Sequence, residues 1–172
     1  MLSKQLSIFF TKKNKITYKK YKKKPSLAGF IDLIKRGIIP RPHYALGLLS
    51  AAKQAKDLGY KSIKVLELGC WNFDGIIDLE HFANDIKDFL QINIEIFGFT
   101  LKGGLPKYKA NKYDRLYKWS PSDCAMTNEE NYNKLNYAKI YFGDVKETIP
   151  KMKIEYKKSF STSPIGLIMY DL

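Results

Sequence analysis

The residues best suited to chemistry lie in one short segment, Lys64-Val-Leu-Glu-Leu-Gly-Cys-Trp-Asn-Phe-Asp-Gly-Ile76. An apolar run of strand-forming residues ends at Gly69, and Gly75 opens an amphipathic stretch, so the segment predicts a strand, a turn and a helix. Such a unit places helix N–H groups at the carboxyl end of a buried strand, where open α/β sheets bind nucleotide-like ligands. Glu67 adds a carboxylate just before the turn. The segment has no G-x-G-x-x-G pattern, which argues against a dinucleotide fingerprint.

The elements around this unit alternate between apolar runs and segments with helical periodicity. Strands that alternate with helices pair in parallel with right-handed crossovers, so the pattern predicts an α/β fold. We expect a Rossmann-like, doubly wound parallel sheet. The predicted strands are 63–68, 93–99, 138–142 and 165–170, and the main predicted helices are 43–58 and 75–90.

Charge divides the chain into two parts. The net charge is +13, and residues 1–24 carry nine lysines and no acid, which leaves a balance of +4 for residues 25–172. We therefore predict a Lys-rich extension over residues 1–36, either a mobile arm or a loosely held element, and one α/β domain over residues 37–172.

No apolar run approaches the length of a membrane span. Two cysteines far apart form no metal or redox motif, so a cytoplasmic location is the default expectation.

From about Pro40 to Leu172 the chain resembles class I S-adenosylmethionine-dependent methyltransferases, and among them an uncharacterised bacterial group. The resemblance implies S-adenosylmethionine as the cofactor. We predict no metal site. Six short motifs carry it: Arg41-Pro-His-Tyr44, Val65-Leu-Glu-Leu-Gly69, Phe97-Gly-Phe-Thr-Leu-Lys-Gly-Gly-Leu-Pro106, Tyr117-Lys-Trp119, Gly143-Asp144 and Tyr170-Asp-Leu172.

In that superfamily, the first motif holds the methionine part of the cofactor. Glu67 and Gly69 match its start, and Gly75 matches its last glycine. Asn72 and Phe73 stand where the family has its middle glycines, and Asn tolerates a positive φ better than Phe does. The resemblance therefore assigns cofactor contacts to Glu67, Gly69, Asn72 and Gly75.

The remaining predicted site residues follow the later strands. Thr100 stands where the family has an acid that binds the ribose hydroxyls. Asp144 matches the acid on the adenine side, and its position before a short helical segment equally predicts a plain helix cap. Asp171 matches the acid after strand four, which in that superfamily often faces the substrate or a metal, and it is the predicted catalytic residue.

The resemblance also implies a sheet order. Class I methyltransferases have seven strands, and this sequence covers the first four, so we expect the N-terminal half of the fold with strand order 3-2-1-4, as in a truncated gene product. Strand four, 165–170, would then be an uncharged apolar edge without an internal proline. Such edges pair with other chains, which predicts self-association through this strand.

Two classes of function follow. The first is a methyltransferase that acts on a small molecule or glycan and is inactive if the chain is incomplete. The second is a non-enzymatic remnant or binding module, whose basic arm contacts nucleic acid or an anionic surface by charge. The long segment between Leu101 and Leu135 is equally consistent with a substrate loop and with a solvated insertion.

Overall fold

The computed structural model of the protein describes residues 12–105, 120, 122–125 and 129–171. Its centre is a four-stranded sheet in which every neighbouring pair is parallel and the spatial order is β3-β2-β1-β4. The predicted fold class and strand order are therefore confirmed. The strands are β1 (Ser62–Leu68), β2 (Asn93–Thr100), β3 (Lys139–Phe142) and β4 (Ile165–Tyr170).

Helices cover the sheet on both faces, and the two main predicted helices each begin one residue earlier than expected. Pro42 occupies the first turn of one of them, where its missing N–H costs nothing. Within the described residues, no helix is long and apolar enough to cross a membrane. The helices are α1 (Lys12–Lys23), α2 (Leu27–Lys35), α3 (Pro42–Asp57), α4 (Asp74–Leu90), α5 (Glu129–Tyr132) and α6 (Val145–Glu155), with 3-10 turns at Trp71–Phe73 and Lys157–Ser159.

The core has two layers, because the central strand β1 is buried on both faces. Val65 packs with α3 and α4, whereas Leu66 faces the smaller cluster under α6, around Met152. A strand that is apolar on both faces is typical of the interior of a parallel sheet. This packing fixes the carboxyl end of β1, where the predicted site lies.

Helix α1 packs on the domain and is not a mobile arm. Tyr21 is buried, its hydroxyl donates a hydrogen bond to Asp85 at 2.8 Å, and its ring lies 6.3 Å from that of Phe30. The prediction of a mobile arm is therefore wrong for this helix, and the alternative of a held element is correct there. Residues 1–11 lie outside the described residues.

Strand β4 pairs with β1 only, within the described part of the chain. Leu167 and Met169 pack against the main core, but Ile168 and Tyr170 on the opposite face are exposed. The predicted apolar edge is thus present, and self-association through it stays a prediction.

Candidate functional site

Glu67 lies at the carboxyl end of β1 and is only 2% exposed. Its Oε1 accepts a hydrogen bond from the Tyr44 hydroxyl at 2.8 Å, while its Oε2 is buried and accepts none within the described residues. Burial raises the pKa of Glu67 from 4.5 to about 7, although the Tyr44 bond and the charge of Arg41 oppose the change. A buried carboxylate with one vacant oxygen is a group suited to a hydrogen-bond donor from a ligand.

The turn after β1 takes the backbone conformations that the missing glycines would have supplied. Gly69 has a φ of 93°, and Asn72 and Phe73 have φ values of 53° and 60°. Gly75 is required for a different reason, since a Cβ there would lie 2.1 Å from Oε1 of Glu67. The structure therefore brings the four residues assigned to the methionine part of the cofactor together around one turn.

Phe73 is held in its left-handed conformation by aromatic packing. Its ring is fully buried and lies 5.6 Å from that of Tyr132 and 6.4 Å from that of Phe142. Burying a Phe side chain stabilises a fold by about 1.5–3 kcal/mol, which offsets a left-handed backbone cost of about 1–2 kcal/mol. Phe73 thus has a backbone conformation that a glycine would adopt easily, and its ring becomes part of the core.

Asn131 attaches the long connection after β2 to this turn, and sequence reasoning missed it. Its side chain is buried, and its Nδ2 donates to the carbonyl of Asn72 at 2.9 Å and to Oδ1 of Asp74 at 3.1 Å. No spacing in the sequence could have revealed a contact across almost sixty residues. The final part of the 101–135 segment is therefore a support for the turn.

Arg41 and Tyr44 border Glu67 from the start of α3. Arg41 has a φ of 42°, and its Nη1 lies 2.6 Å from Oδ2 of Asp78 on α4. The sequence signal was the Arg41-Pro-His-Tyr44 motif, which carried the resemblance but had no assigned role. This motif lies at the start of α3, the helix before β1, and that position places the side chains of Arg41 and Tyr44 beside the Glu67 carboxylate.

Thr100 and Asp144 also reach the carboxyl edge of the sheet, on β2 and after β3. The Thr100 carbonyl accepts a hydrogen bond from the N–H of Gly143 at 3.0 Å, so the two strand ends adjoin. Asp144 is exposed and its side chain accepts from the N–H of Lys146 at 2.8 Å. The helix-cap alternative for Asp144 is therefore correct, and a cofactor contact stays a prediction.

Asp171 lies at the same edge, directly after β4. Its N–H donates to the carbonyl of Leu68 at 2.8 Å, and its charge contributes to the raised pKa of Glu67. Within the described residues, no group of three or more His, Cys, Asp or Glu side chains could hold a metal ion. The seven predicted site residues thus share one edge of the sheet.

A groove of about 350 Å³ lies elsewhere, beside the amino half of β2. It exists because β3 pairs with residues 97–100 of β2, and residues 93–96 have no strand neighbour on that side among the described residues. Asn84 and Lys87 of α4 and Tyr137 before β3 line it. None of the predicted site residues lines this groove.

No family model matches the sequence, and no curated protein matches it. Among solved structures, the chain is similar to CalS11, a calicheamicin methyltransferase, with a TM-score of 0.52 and 15% sequence identity. The similarity covers 92% of this chain and 65% of CalS11, so the chain spans about two thirds of the length of that protein. At this identity the likeness concerns the fold, and the chain has a methyltransferase-like fold.

Proposed function

We propose that the protein is an S-adenosylmethionine-dependent methyltransferase, or the cofactor-binding part of one. The observation that carries this proposal is the carboxylate of Glu67, which is buried at the end of β1 with Gly75 against it and with one oxygen that no described residue hydrogen-bonds. A fold built only for stability gains nothing from such a group, because a buried and half-satisfied carboxylate is destabilising.

The residues at the carboxyl edge fit the cofactor chemically. The Glu67 carboxylate would accept hydrogen bonds from the ammonium group of the methionine part, beside the backbone of Gly69 and Asn72. By the resemblance, Thr100 would contact the ribose and Asp144 would lie near the adenine. The cofactor supplies an electrophilic methyl group on a sulfonium sulfur. Asp171 would face the acceptor and take its proton.

Thr100 supports a further expectation about affinity. A hydroxyl offers a neutral hydrogen bond, which is roughly half as strong as one to a carboxylate. Phe73 adds little to this weakening, since its backbone has the φ of 60° that a glycine would take. We therefore expect affinity below that of family members that carry an acid at the Thr100 position.

The acceptor is proposed to be a small molecule or a glycan. Support comes from CalS11, whose name describes it as a calicheamicin methyltransferase, and from the absence of a base-reading motif in this sequence. The alternative is a binding module without enzymatic activity, and cofactor binding separates the two.

Calorimetric titration with S-adenosylmethionine and S-adenosylhomocysteine tests the proposal. We expect binding by the parent chain, tighter above pH 7 than below it, because the ammonium group requires an ionised Glu67. Glu67→Ala should abolish binding, whereas Lys53→Ala, an exposed change on α3, should leave it unaltered. Absence of binding by the parent, or equal binding by both variants, would overturn the assignment.

A further inference from the structure

Two separate sets of contacts place the Arg41 side chain beside the Glu67 carboxylate. On α3, Tyr44 follows Arg41 by one turn and donates a hydrogen bond from its hydroxyl to Oε1 of Glu67 at 2.8 Å. On α4, a Cβ at Gly75 would lie 2.1 Å from the same oxygen. Asp78 follows Gly75 by one turn, and its Oδ2 lies 2.6 Å from Nη1 of Arg41. Residues one turn apart are neighbours on a helix surface, so both helices bring Arg41 next to Glu67.

The guanidinium of Arg41 has donors that its ion pair with Asp78 does not use. Nη1 donates to Oδ2 of Asp78, and this is the single hydrogen bond that the guanidinium donates within the described residues. A guanidinium carries several N–H groups in a flat fork, which matches both oxygens of a carboxylate. The Arg41 side chain is 36% exposed, so a ligand can reach it. Arg41 therefore offers donors to an anion beside the carboxylate of Glu67.

The local needs of α3 do not explain an arginine at this position. Arg41 is the residue before the first turn, where Ser, Thr, Asp, Asn and Gly are preferred, and its side chain makes no cap hydrogen bond. Its φ of 42° is in the left-handed region, which is unfavourable for a residue with a Cβ. Such backbone conformations persist where the surrounding structure holds them, and they cluster at ligand-binding sites.

The charges around Arg41 also limit which ligand fits. Burial lowers the pKa of Arg41, but three nearby acids outweigh burial and raise it. These acids are Asp78, Asp74 and Glu67. A purely anionic ligand is repelled by such a group of carboxylates, whereas a ligand with a cation and an anion on adjacent atoms can satisfy both Glu67 and Arg41. The arrangement therefore favours a zwitterion.

We infer that Arg41 binds the carboxylate at the amino acid end of the cofactor, while Glu67 binds the ammonium group. This inference rests on the proposed function and gives Arg41 a binding role that the sequence resemblance did not assign. Both groups of the cofactor are bonded to one carbon atom, so their partners must lie side by side, as Glu67 and Arg41 do. The pair makes the site selective for a nucleoside with an intact amino acid over one that has lost its carboxylate.

Decarboxylated S-adenosylmethionine is the probe, because it keeps the adenosine, the sulfonium and the amine and lacks the carboxylate. Calorimetric titration measures its affinity beside that of S-adenosylmethionine. We expect the parent to bind S-adenosylmethionine about 10- to 100-fold more tightly, the range for a hydrogen bond between charged groups. Arg41→Gln should bind the two ligands about equally. Arg36→Gln, a change at the exposed arginine that pairs with Asp32, should keep the preference of the parent.

Variants of the ion pair separate ligand binding from a structural role of Arg41. Asp78→Asn weakens the link between α3 and α4 but keeps the guanidinium, so we expect it to keep most of the preference. Arg41→Lys keeps the charge without the fork and should restore part of the preference. If Arg41→Gln does not fold, the double change Arg41→Gln, Asp78→Asn leaves no unpaired carboxylate and should also lose the preference. A general loss of stability does not move this readout, because it compares two ligands on one variant.

Three results would overturn the inference and leave the proposed function standing: equal binding of the two ligands by the parent, a preference that Arg41→Gln retains, or a preference that Asp78→Asn removes as completely as Arg41→Gln does. S-adenosylhomocysteine titration of the parent separates the two proposals. If the parent binds neither S-adenosylmethionine nor S-adenosylhomocysteine, the proposed function fails as well.

Discussion

Two carboxylates of this protein are almost equally buried but have opposite environments. Glu67 is 2% exposed and one of its oxygens has no hydrogen-bond partner in the described part of the chain, whereas Glu80 on α4 is 1% exposed and both of its oxygens accept hydrogen bonds. Glu80 accepts hydrogen bonds from three consecutive backbone N–H groups, those of Asn136, Tyr137 and Ala138, at 2.7–3.1 Å. The comparison shows that burial alone does not distinguish these two acids; they differ in that one oxygen of Glu67 accepts no hydrogen bond from the described residues.

The pKa values of the two groups move in opposite directions. Burial raises that of Glu67 to about 7. Burial also acts to raise that of Glu80, but the bonds from Tyr137, Asn136 and Ala138 outweigh it and lower the pKa below its ordinary range. Glu80 therefore favours the ionised state and stabilises the fold at neutral pH, whereas ionised Glu67 costs stability.

The largest expected effect comes from Glu80→Ala. The change leaves three backbone N–H groups without their acceptor, and we expect the free energy of unfolding to fall by about 4 kcal/mol. Urea denaturation measures it. Asp88→Asn, an exposed change on the same helix, should alter stability by less than about 0.5 kcal/mol. A loss at Glu80 no greater than that of the control would mean that the N–H groups find other partners.

Glu67→Gln should raise the free energy of unfolding at neutral pH and above, whereas Glu80→Ala should lower it. The folded pKa of Glu67, about 7, exceeds the ordinary 4.5, so its contribution is fully present below pH 4.5 and is lost as pH rises through 7. That loss amounts to about 3 kcal/mol. Glutamine does not ionise, so the variant should match the parent at pH 4.5 and exceed its stability at about pH 8. Unfolding curves across this pH range test the prediction. If both oxygens of Glu67 were hydrogen-bonded, the free energies of unfolding of parent and variant would change in parallel with pH.

Tyr44→Phe should have a smaller effect on stability, and it should increase the difference between the pKa values of Glu67 and Glu80. It removes the single described hydrogen bond to Oε1 of Glu67, which we expect to cost about 1 kcal/mol at about pH 8 and to raise the pKa of Glu67 further. Carbon-13 NMR of the Glu67 carboxyl carbon would follow the titration. Tyr60→Phe is the control, and a titration unchanged by Tyr44→Phe would remove Tyr44 from the site.

The sequence predicted those parts of the candidate site that are formed by residues close together in the chain. The apolar run of β1, Gly69 and Gly75 define a strand, turn and helix, and the structure has all three. The partners of Glu67 were not predictable in this way. Tyr44 lies 23 residues before it, and only folding of α3 onto the sheet brings the hydroxyl to the carboxylate.

The outcome in two further regions depends on tertiary packing. The many lysines of α1 suggest a solvated segment. The packing of this helix depends on Tyr18 and Tyr21, whose spacing of three residues places both side chains on one helical face. At Phe73, the expected penalty of a positive φ is real, but the buried ring offsets it. In both places an aromatic side chain finds a pocket made by residues distant in the sequence.

The arrangement around Glu80 also bears on how the chain folds. Its hydrogen bonds join residues 56 to 58 positions apart, so they form only after a long loop has closed at an entropic cost. We therefore expect β3 to join the sheet late, after α4 and the β1–β2 pair. Interactions that form late mainly slow unfolding and have little effect on the rate of folding. Glu80 would thus set the lifetime of the folded state more than the speed with which it is reached.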